Sequence, residues 1–412
     1  MNGAPVFTGV GVVAPTGVGT GAHWSAVLAG EGALAPVDRF DVSGYPVGVA
    51  GLVRGFDAGA CLPGRLVVQT DHWTHMGLAA ADLALDDAGA DPAELSEFDL
   101  GVTTASSSGG TEFGQHEMER LWAQGPGHVT VYQSIAWFYA ATTGQISIRH
   151  GMRGRCGVLA AEQAGGLDAL AAARGDLRDG ARLIVTGGTD ASLCPYGLVA
   201  QITSGLLSPC ADADRAYLPF DVRAGGYCPG EGGAMFVLED PESARARGAR
   251  AYGRLTGHGA TFDPQPDPWP GPPAPSYAPS GEGLWRAVEI ALDDAGLAPA
   301  DIDVVFADAS GVPAADRAEC RVIRTVFGPR GVPVTAPKTM TGRLYAGGAP
   351  LDVASALLAI RDQVIPPTIN VTEPADAGID LVGAVPREAR IRHALVLARG
   401  HGGFNSAAVL SA

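Results

Sequence analysis

The turn at residues 160–166 has the form that often presents a reactive side chain. An apolar run from Cys156 leads into Ala160-Ala161-Glu162-Gln163-Ala164-Gly165-Gly166, and a helical pattern opens at about Gln163. A helix N-terminus stabilises a thiolate, which is why nucleophilic cysteines are placed at such turns. Here the position holds glutamine, whose amide is no nucleophile, so the residues by themselves read as a packing turn. Cys156 lies seven positions earlier, on the strand rather than the turn, and is a poor substitute. Gly9-Val-Gly-Val-Val-Ala14 fits a loose GxGxxA dinucleotide pattern. That chemistry needs a helix to begin at once, so that its N-terminus can hold a pyrophosphate. Pro15, Gly17 and Gly19 oppose such a helix, and a strand with a tight turn is expected. GxSxG, HExxH and the P-loop pattern are absent.

The elements around these residues alternate as in an α/β protein. Strands are expected at Val6–Val13, Leu100–Thr103, Leu183–Thr186 and Val304–Ala307. Helices are expected at Thr74–Leu85, Leu167–Arg174, Leu284–Leu292 and Leu351–Ile360. One hexapeptide, ALDDAG, occurs at 84–89 and again at 291–296, 207 positions later. In both places a helix leads into it, its Gly suits a helix C′ position, and a short turn and an apolar strand follow. This order points to a duplication, with halves at 1–250 and 251–412. Eight prolines between Asp263 and Pro279 mark an irregular surface loop near the junction.

Composition narrows the function classes. The 412 residues carry 44 acids against 28 bases, a formal net charge of −16. That charge opposes binding to nucleic-acid phosphates or to an anionic membrane. The N-terminal stretch lacks the positive region of a secretory signal, and no apolar run reaches the roughly 18 residues of a membrane span. The six cysteines form no CxxC pair, so neither a zinc site nor a disulfide framework is expected, and free thiols in the cytoplasm are.

Several motifs together carry a resemblance. The stretch Ala161-Glu-Gln-Ala-Gly-Gly-Leu-Asp-Ala-Leu170 resembles the active-site turn of condensing enzymes of the thiolase-like superfamily, which hold cysteine where Gln163 stands. The glutamine form resembles the chain length factors, the ketosynthase beta subunits of aromatic type II polyketide synthases. Pro219-Phe-Asp-Val-Arg-Ala-Gly-Gly-Tyr-Cys-Pro-Gly-Glu-Gly-Gly-Ala234 is similar to PFDxxRxGFVxGEGA, and Lys338-Thr-Met-Thr-Gly-Arg343 to KSxxGH. Pro366-Pro-Thr-Ile-Asn370 and Gly400-His-Gly-Gly-Phe-Asn405 are similar to IPPTxN and GFGGxN. Trp137-Phe-Tyr-Ala140 and Gly144-Gln-Ile-Ser-Ile-Arg149 are typical of the beta subunits. The similarity spans essentially the whole chain. It implies a thiolase-like fold of two duplicated αβαβα halves with a five-layered core.

Carried over residue by residue, the resemblance implies a loss of chemistry. An active ketosynthase needs a Cys nucleophile and two His that assist decarboxylation of the malonyl extender. Gln163 takes the place of the Cys, Asp308 that of the first His and Arg343 that of the second. His401 replaces the Phe of GFGG, and Lys338 is retained. Asp308 and Arg343 are expected to pair with each other. Two roles stay open for Gln163: donating to a thioester carbonyl during malonyl decarboxylation, or filling a vestigial pocket. The chain is expected to be inactive alone.

The resemblance also implies partners. These are a ketosynthase alpha subunit in a heterodimer, an acyl carrier protein whose phosphopantetheine arm brings the substrate, and the growing poly-β-ketone. No cofactor or metal is implied on this chain. The substrate tunnel positions map to Thr111, Gly114, Met118 and Ile135, the first three on one helix face by their spacing. Relatives that make eight-unit chains carry bulkier residues here. Thr111, Gly114 and Met118 therefore imply a product longer than an octaketide, with a decaketide favoured; the alternative is that they are core contacts. Arg149, Arg153 and Arg155 form a basic cluster, read either as part of the dimer interface or as a carrier-protein docking patch. The competing function is a self-sufficient condensing enzyme with an unusual active site.

Overall fold

The two halves lay down their strands in the same order. The first contains β1 (Val6–Ala14), β2 (Leu100–Ala105), β3 (Cys156–Leu159), β4 (Leu183–Asp190) and β5 (Gly232–Glu239). Its principal helices are α1 (His72–Ala88), α2 (Thr111–Gln124), α3 (Ala141–His150) and α4 (Gly165–Arg178). The second contains β6 (Gly253–Phe262), β7 (Val304–Phe306), β8 (Pro333–Thr335), β9 (His393–Arg399) and β10 (Phe404–Ser411), with helices α5 (Glu282–Ala295), α6 (Pro313–Phe327) and α7 (Gly348–Asp362). The structure, a computed structural model, describes residues 3–263 and 280–412. The proline-rich stretch expected to form a surface loop lies, apart from Asp263, outside the described residues.

Across the sheet the first half runs β3-β2-β4-β5-β1 and the second β8-β7-β9-β10-β6, the same permutation. In each, the second strand is parallel to both its neighbours and the other pairs among these five strands are antiparallel. The halves meet edge to edge at β1 and β6, through the Val6–Arg254 and Phe7–Gly253 pairs.

Both faces of each half-sheet are covered. Phe236 and Leu238 of β5 join Leu167 and Leu170 of α4, Leu357 of α7 and Val396 of β9 in a central cluster. The alternate residues of β5, Met235 and Val237, turn to Met76 and Leu78 of α1 and Ile146 of α3. Leu395 and Leu397 of β9 turn the opposite way, to Leu284 and Val288 of α5 and Ile323 of α6. The period-two alternation of strand side chains thus yields five layers, α1/α3, sheet, α4/α7, sheet, α5/α6. The predicted strands and helices are all present, and the helices run past their apolar stretches to polar ends. Asp71 Oδ1, for example, accepts from Trp73 N–H at 3.1 Å and starts α1 before Thr74.

The hexapeptide echo has a packing cause. A Cβ on Gly9 or Gly11 of β1 would lie 2.0 Å from the carbonyl oxygens of Ala84 and Ala80 in α1. On Gly257 or Gly259 of β6 it would lie 2.1 or 2.2 Å from those of Ala291 and Ala287 in α5. Only glycine lets helix and strand approach this closely. The second Asp of each hexapeptide then takes the amide between the two glycines. Asp87 Oδ2 accepts from Val10 N–H at 2.9 Å, and Asp294 Oδ2 from His258 N–H at 2.9 Å. The Gly9–Gly11 pair is therefore a packing device within a strand and not a phosphate loop, as the reading of the sequence held. Gly89 and Gly296 close the two helices in the left-handed region, φ 56° and 66°.

The symmetry breaks between β2 and α3. The corresponding connection in the second half runs directly from β7 to α6. In the first half the chain makes an excursion through α2 and the short helix Gln133–Ala136. The Arg149, Arg153 and Arg155 cluster is not a free basic patch. Arg149 pairs with Asp82 at 2.8 Å, Arg153 with Glu97 at 3.2 Å, and Arg155 with Asp176 and Asp179 at 3.2 and 2.6 Å. Acids distant in sequence but adjacent in the fold neutralise each one, which spacing alone does not reveal.

Candidate functional site

Strand β3 delivers the chain to Ala161, and Glu162 takes a left-handed conformation, φ 51°. That kink turns Gln163 inward in a single 3-10 turn before α4 starts at Gly165, two residues later than the sequence pattern predicts. Gln163 is buried. With its amide oriented to match donors with acceptors, its nitrogen donates to Tyr345 O at 3.0 Å and its oxygen accepts from Tyr345 N–H at 3.1 Å. The carboxamide thereby closes the turn onto the segment that follows Arg343. It lines a cavity together with His23, Lys338, Arg343, Asp352 and Ser355. His23 is held between Thr16 Oγ1 at 2.6 Å and Ser355 Oγ at 3.2 Å, and burial lowers its pKa to about 4, so it is neutral.

Asp308 follows β7 and Arg343 follows the turn Pro337–Met340. Their charged tips meet at 2.9 Å, as expected from the sequence. The pair belongs to a larger buried cluster. Arg343 Nη1 also donates to Asp308 O at 2.7 Å, and Lys338 Nζ to the same carbonyl at 3.1 Å. Arg399, the last residue of β9, donates from Nε to Asp308 Oδ2 at 3.1 Å and from Nη2 to Glu319 Oε2 at 2.9 Å. Glu319 in turn accepts from the Asp308 and Ala309 amides at 2.8 and 3.0 Å. Lys338 completes the cluster with Asp352 of α7 at 2.6 Å. Burial works to raise the Asp308 pKa, but the two guanidiniums and the Lys338 ammonium prevail and hold it well below the usual carboxylate range. Burial pushes Asp352 up to about 6 despite Lys338. The cluster is therefore a set of charges locked to one another and not a set of groups free to pass protons.

Arg399, Glu319 and Asp352 were not found from the sequence. Arg399 stands directly before the Gly400-His-Gly-Gly turn, which was a usable signal. Glu319 and Asp352 lie inside helices α6 and α7, where acids ordinarily face solvent, so nothing marked them. His401 is exposed, and its N–H donates to Glu162 Oε2 at 2.8 Å. Cys156 is also exposed. Among the described residues no group of His, Cys, Asp and Glu could hold a metal ion.

The positions mapped to a substrate tunnel lie on the excursion, away from this cluster in sequence. Thr111 and Gly114 are buried in α2, whereas Met118 is 55% exposed. The three do not share one environment, because Glu117 and not Met118 continues the inward stripe. Glu117 Oε2 accepts from Thr130 N–H at 2.5 Å and ties α2 to the segment that carries Ile135. Met118 and Ile135 are instead exposed on the excursion, as are Trp122, Val131, Trp137 and Phe138. A core-contact role is thus excluded for Met118.

The Beta-ketoacyl synthase N-terminal domain family matches residues 6–244, and the Beta-ketoacyl synthase C-terminal domain family matches residues 271–372. The chain is 58% identical over 408 residues to the tetracenomycin polyketide synthase ketoacyl synthase beta subunit of Streptomyces glaucescens, covering 98% of this chain and 97% of that one. It is 57% identical to the actinorhodin polyketide putative beta-ketoacyl synthase 2 of Streptomyces coelicolor, with 98% of both covered. Among solved structures, the ishigamide ketosynthase/chain length factor is similar with a TM-score of 0.89 and 27% identity, covering 100% of this chain and 99% of that one. A type II polyketide synthase acyl carrier protein in complex with its hexaketide-bound ketosynthase gives 0.88 and 25%, with both chains fully covered.

Proposed function

Because the chain belongs to the beta-ketoacyl synthase family, as a chain length factor (ketosynthase beta subunit) of type II polyketide synthases, we propose that it acts by shape and not by bond-making chemistry. It pairs in the cytoplasm with a ketosynthase alpha subunit, whose cysteine carries the growing chain, and gives that chain a tunnel of fixed length. The extender units arrive on the phosphopantetheine arm of an acyl carrier protein. The observation that carries this reading is the buried cluster in which Asp308, Arg343, Arg399 and Lys338 are held by ion pairs; by the resemblance, Asp308 and Arg343 stand where an active ketosynthase keeps its two His. Gln163 supports it as well. Both ends of its amide serve the Tyr345 backbone, which favours a role in holding the turn over one in malonyl decarboxylation.

The alpha subunit is proposed to dock on the excursion between β2 and α3. Trp122, Val131 and Phe138 expose large apolar side chains there, and large apolar groups exposed along one segment are a mark of an interaction surface. Thr111, Gly114, Met118 and Ile135 on the same excursion set the shape of the tunnel, and their modest size favours a decaketide over an octaketide. The halves 1–250 and 251–412 are proposed to act as one body, since the central cluster draws on both.

In a minimal synthase with the alpha subunit and carrier protein held constant, Thr111→Phe is expected to shorten the principal product by at least one acetate unit. Mass spectrometry of the extracted polyketides checks it. An unaltered length at normal yield contradicts the tunnel.

A further inference from the structure

Gly114 does not face empty space. A Cβ built on it would lie 3.0 Å from Trp137 Cδ1 and 3.5 Å from Nε1, with Gln133 Nε2 at 3.7 Å. At 3.0 Å from a ring carbon, a methyl group is held only if the ring moves. Glycine therefore seats the indole on α2. The backbone beneath it is fixed by the same means. A Cβ on Gly110 would lie 2.1 Å from Ala136 O, and one on Gly109 2.9 Å from Trp137 O. The Gly109-Gly110 turn thus admits residues 136–137 to close contact with the start of α2. Trp137 is nevertheless 53% exposed. Met118 and Ile135 are exposed on the same excursion.

A large, rigid side chain thus occupies the space that the small residue at 114 leaves. We propose that Trp137 is a specificity-determining residue, its indole forming the end wall against which the poly-β-ketone stops. Gly114 then acts by seating that wall, and not by leaving the tunnel open. The proposal rests on the tunnel reading of the excursion. Its consequence is coupling: bulk at 114 reaches the substrate by driving the indole toward it, so removal of the indole relieves the effect.

The test is the principal product length of the minimal synthase with Gly114→Phe, Trp137→Ala, Trp137→Phe and the Gly114→Phe/Trp137→Ala pair. Co-purification with the alpha subunit controls for folding, and Trp137→Phe serves if the alanine variant is lost. Gly114→Phe is expected to shorten the product by at least one acetate unit, and Trp137→Ala to lengthen it by at least one. Trp137→Phe falls between, and the double variant returns to within one unit of the parent. A double variant as short as Gly114→Phe alone, or Trp137 variants of unchanged length beside a shortened Gly114→Phe, overturns the role of Trp137. If Gly114→Phe and Thr111→Phe both leave the length unchanged, the tunnel reading itself falls, and the proposal with it.

Discussion

Replacing Asp308 with alanine is expected to lower the stability of the chain by about 3–5 kcal/mol, the cost of breaking a buried ion pair by removing one partner. Asp308 is 1% exposed, and its carboxylate takes Arg343 Nη2 at 2.9 Å, Arg399 Nε at 3.1 Å and Arg399 N–H at 2.9 Å. Alanine leaves two buried guanidiniums near each other, with Glu319 as the remaining close counter-charge. Urea unfolding of the purified protein measures the effect. The sign of its pH dependence follows from the lowered Asp308 pKa. A carboxylate held below its unfolded value contributes stability above the ordinary carboxylate range and loses it as pH falls through the native value. The gap between parent and variant therefore stays open at neutral pH and narrows only in strong acid. A loss below about 1 kcal/mol, the size of an exposed pair, would show that the cluster does not act as a buried unit.

Gly11→Ala and Gly259→Ala are expected to destabilise by similar amounts, about 3 kcal/mol or more each, as overpacking against backbone does. The new methyl would stand 2.0 Å from Ala80 O in one case and 2.2 Å from Ala287 O in the other. Neither obstacle is a side chain that can swing away, so the helix must lift from the sheet. Gly175→Ala is the control: beyond its chain neighbours and the backbone of its own helix no atom lies within 4 Å of its added Cβ, and alanine in a helix gains about 0.5–1 kcal/mol over glycine. Thermal unfolding of the three variants decides it. A large cost at one position and none at the other would contradict the equivalence of the two halves.

The duplication was legible in the sequence because the hexapeptide preserves a contact: Ala against a strand glycine, and Asp on the amide between two glycines. The turn at Gln163 was legible because an apolar strand, small residues and a helix follow within a few positions. The Asp308–Arg343 pairing was legible only through the resemblance, since 35 positions separate the two. Arg399, Glu319 and Asp352 were not, because their burial depends on packing between layers that local pattern does not encode. Helix spacing put Thr111, Gly114 and Met118 on one face, but the bond from Glu117 to Thr130 sets how α2 is rolled and leaves Met118 at the surface. The role of Gly114 was missed for a similar reason. Its size was plain, and the indole that fills the space was not.

The most direct measurement of the central claim is where the acyl chain resides. Intact-mass analysis of this chain alone with malonyl-loaded acyl carrier protein, and of both subunits during synthesis with an alpha subunit, reads it. The account predicts no acyl adduct and no malonyl decarboxylation with this chain alone, and in the complex adducts on the alpha subunit only. An acyl thioester or oxygen ester on any residue of this chain, or condensation without the partner, contradicts it.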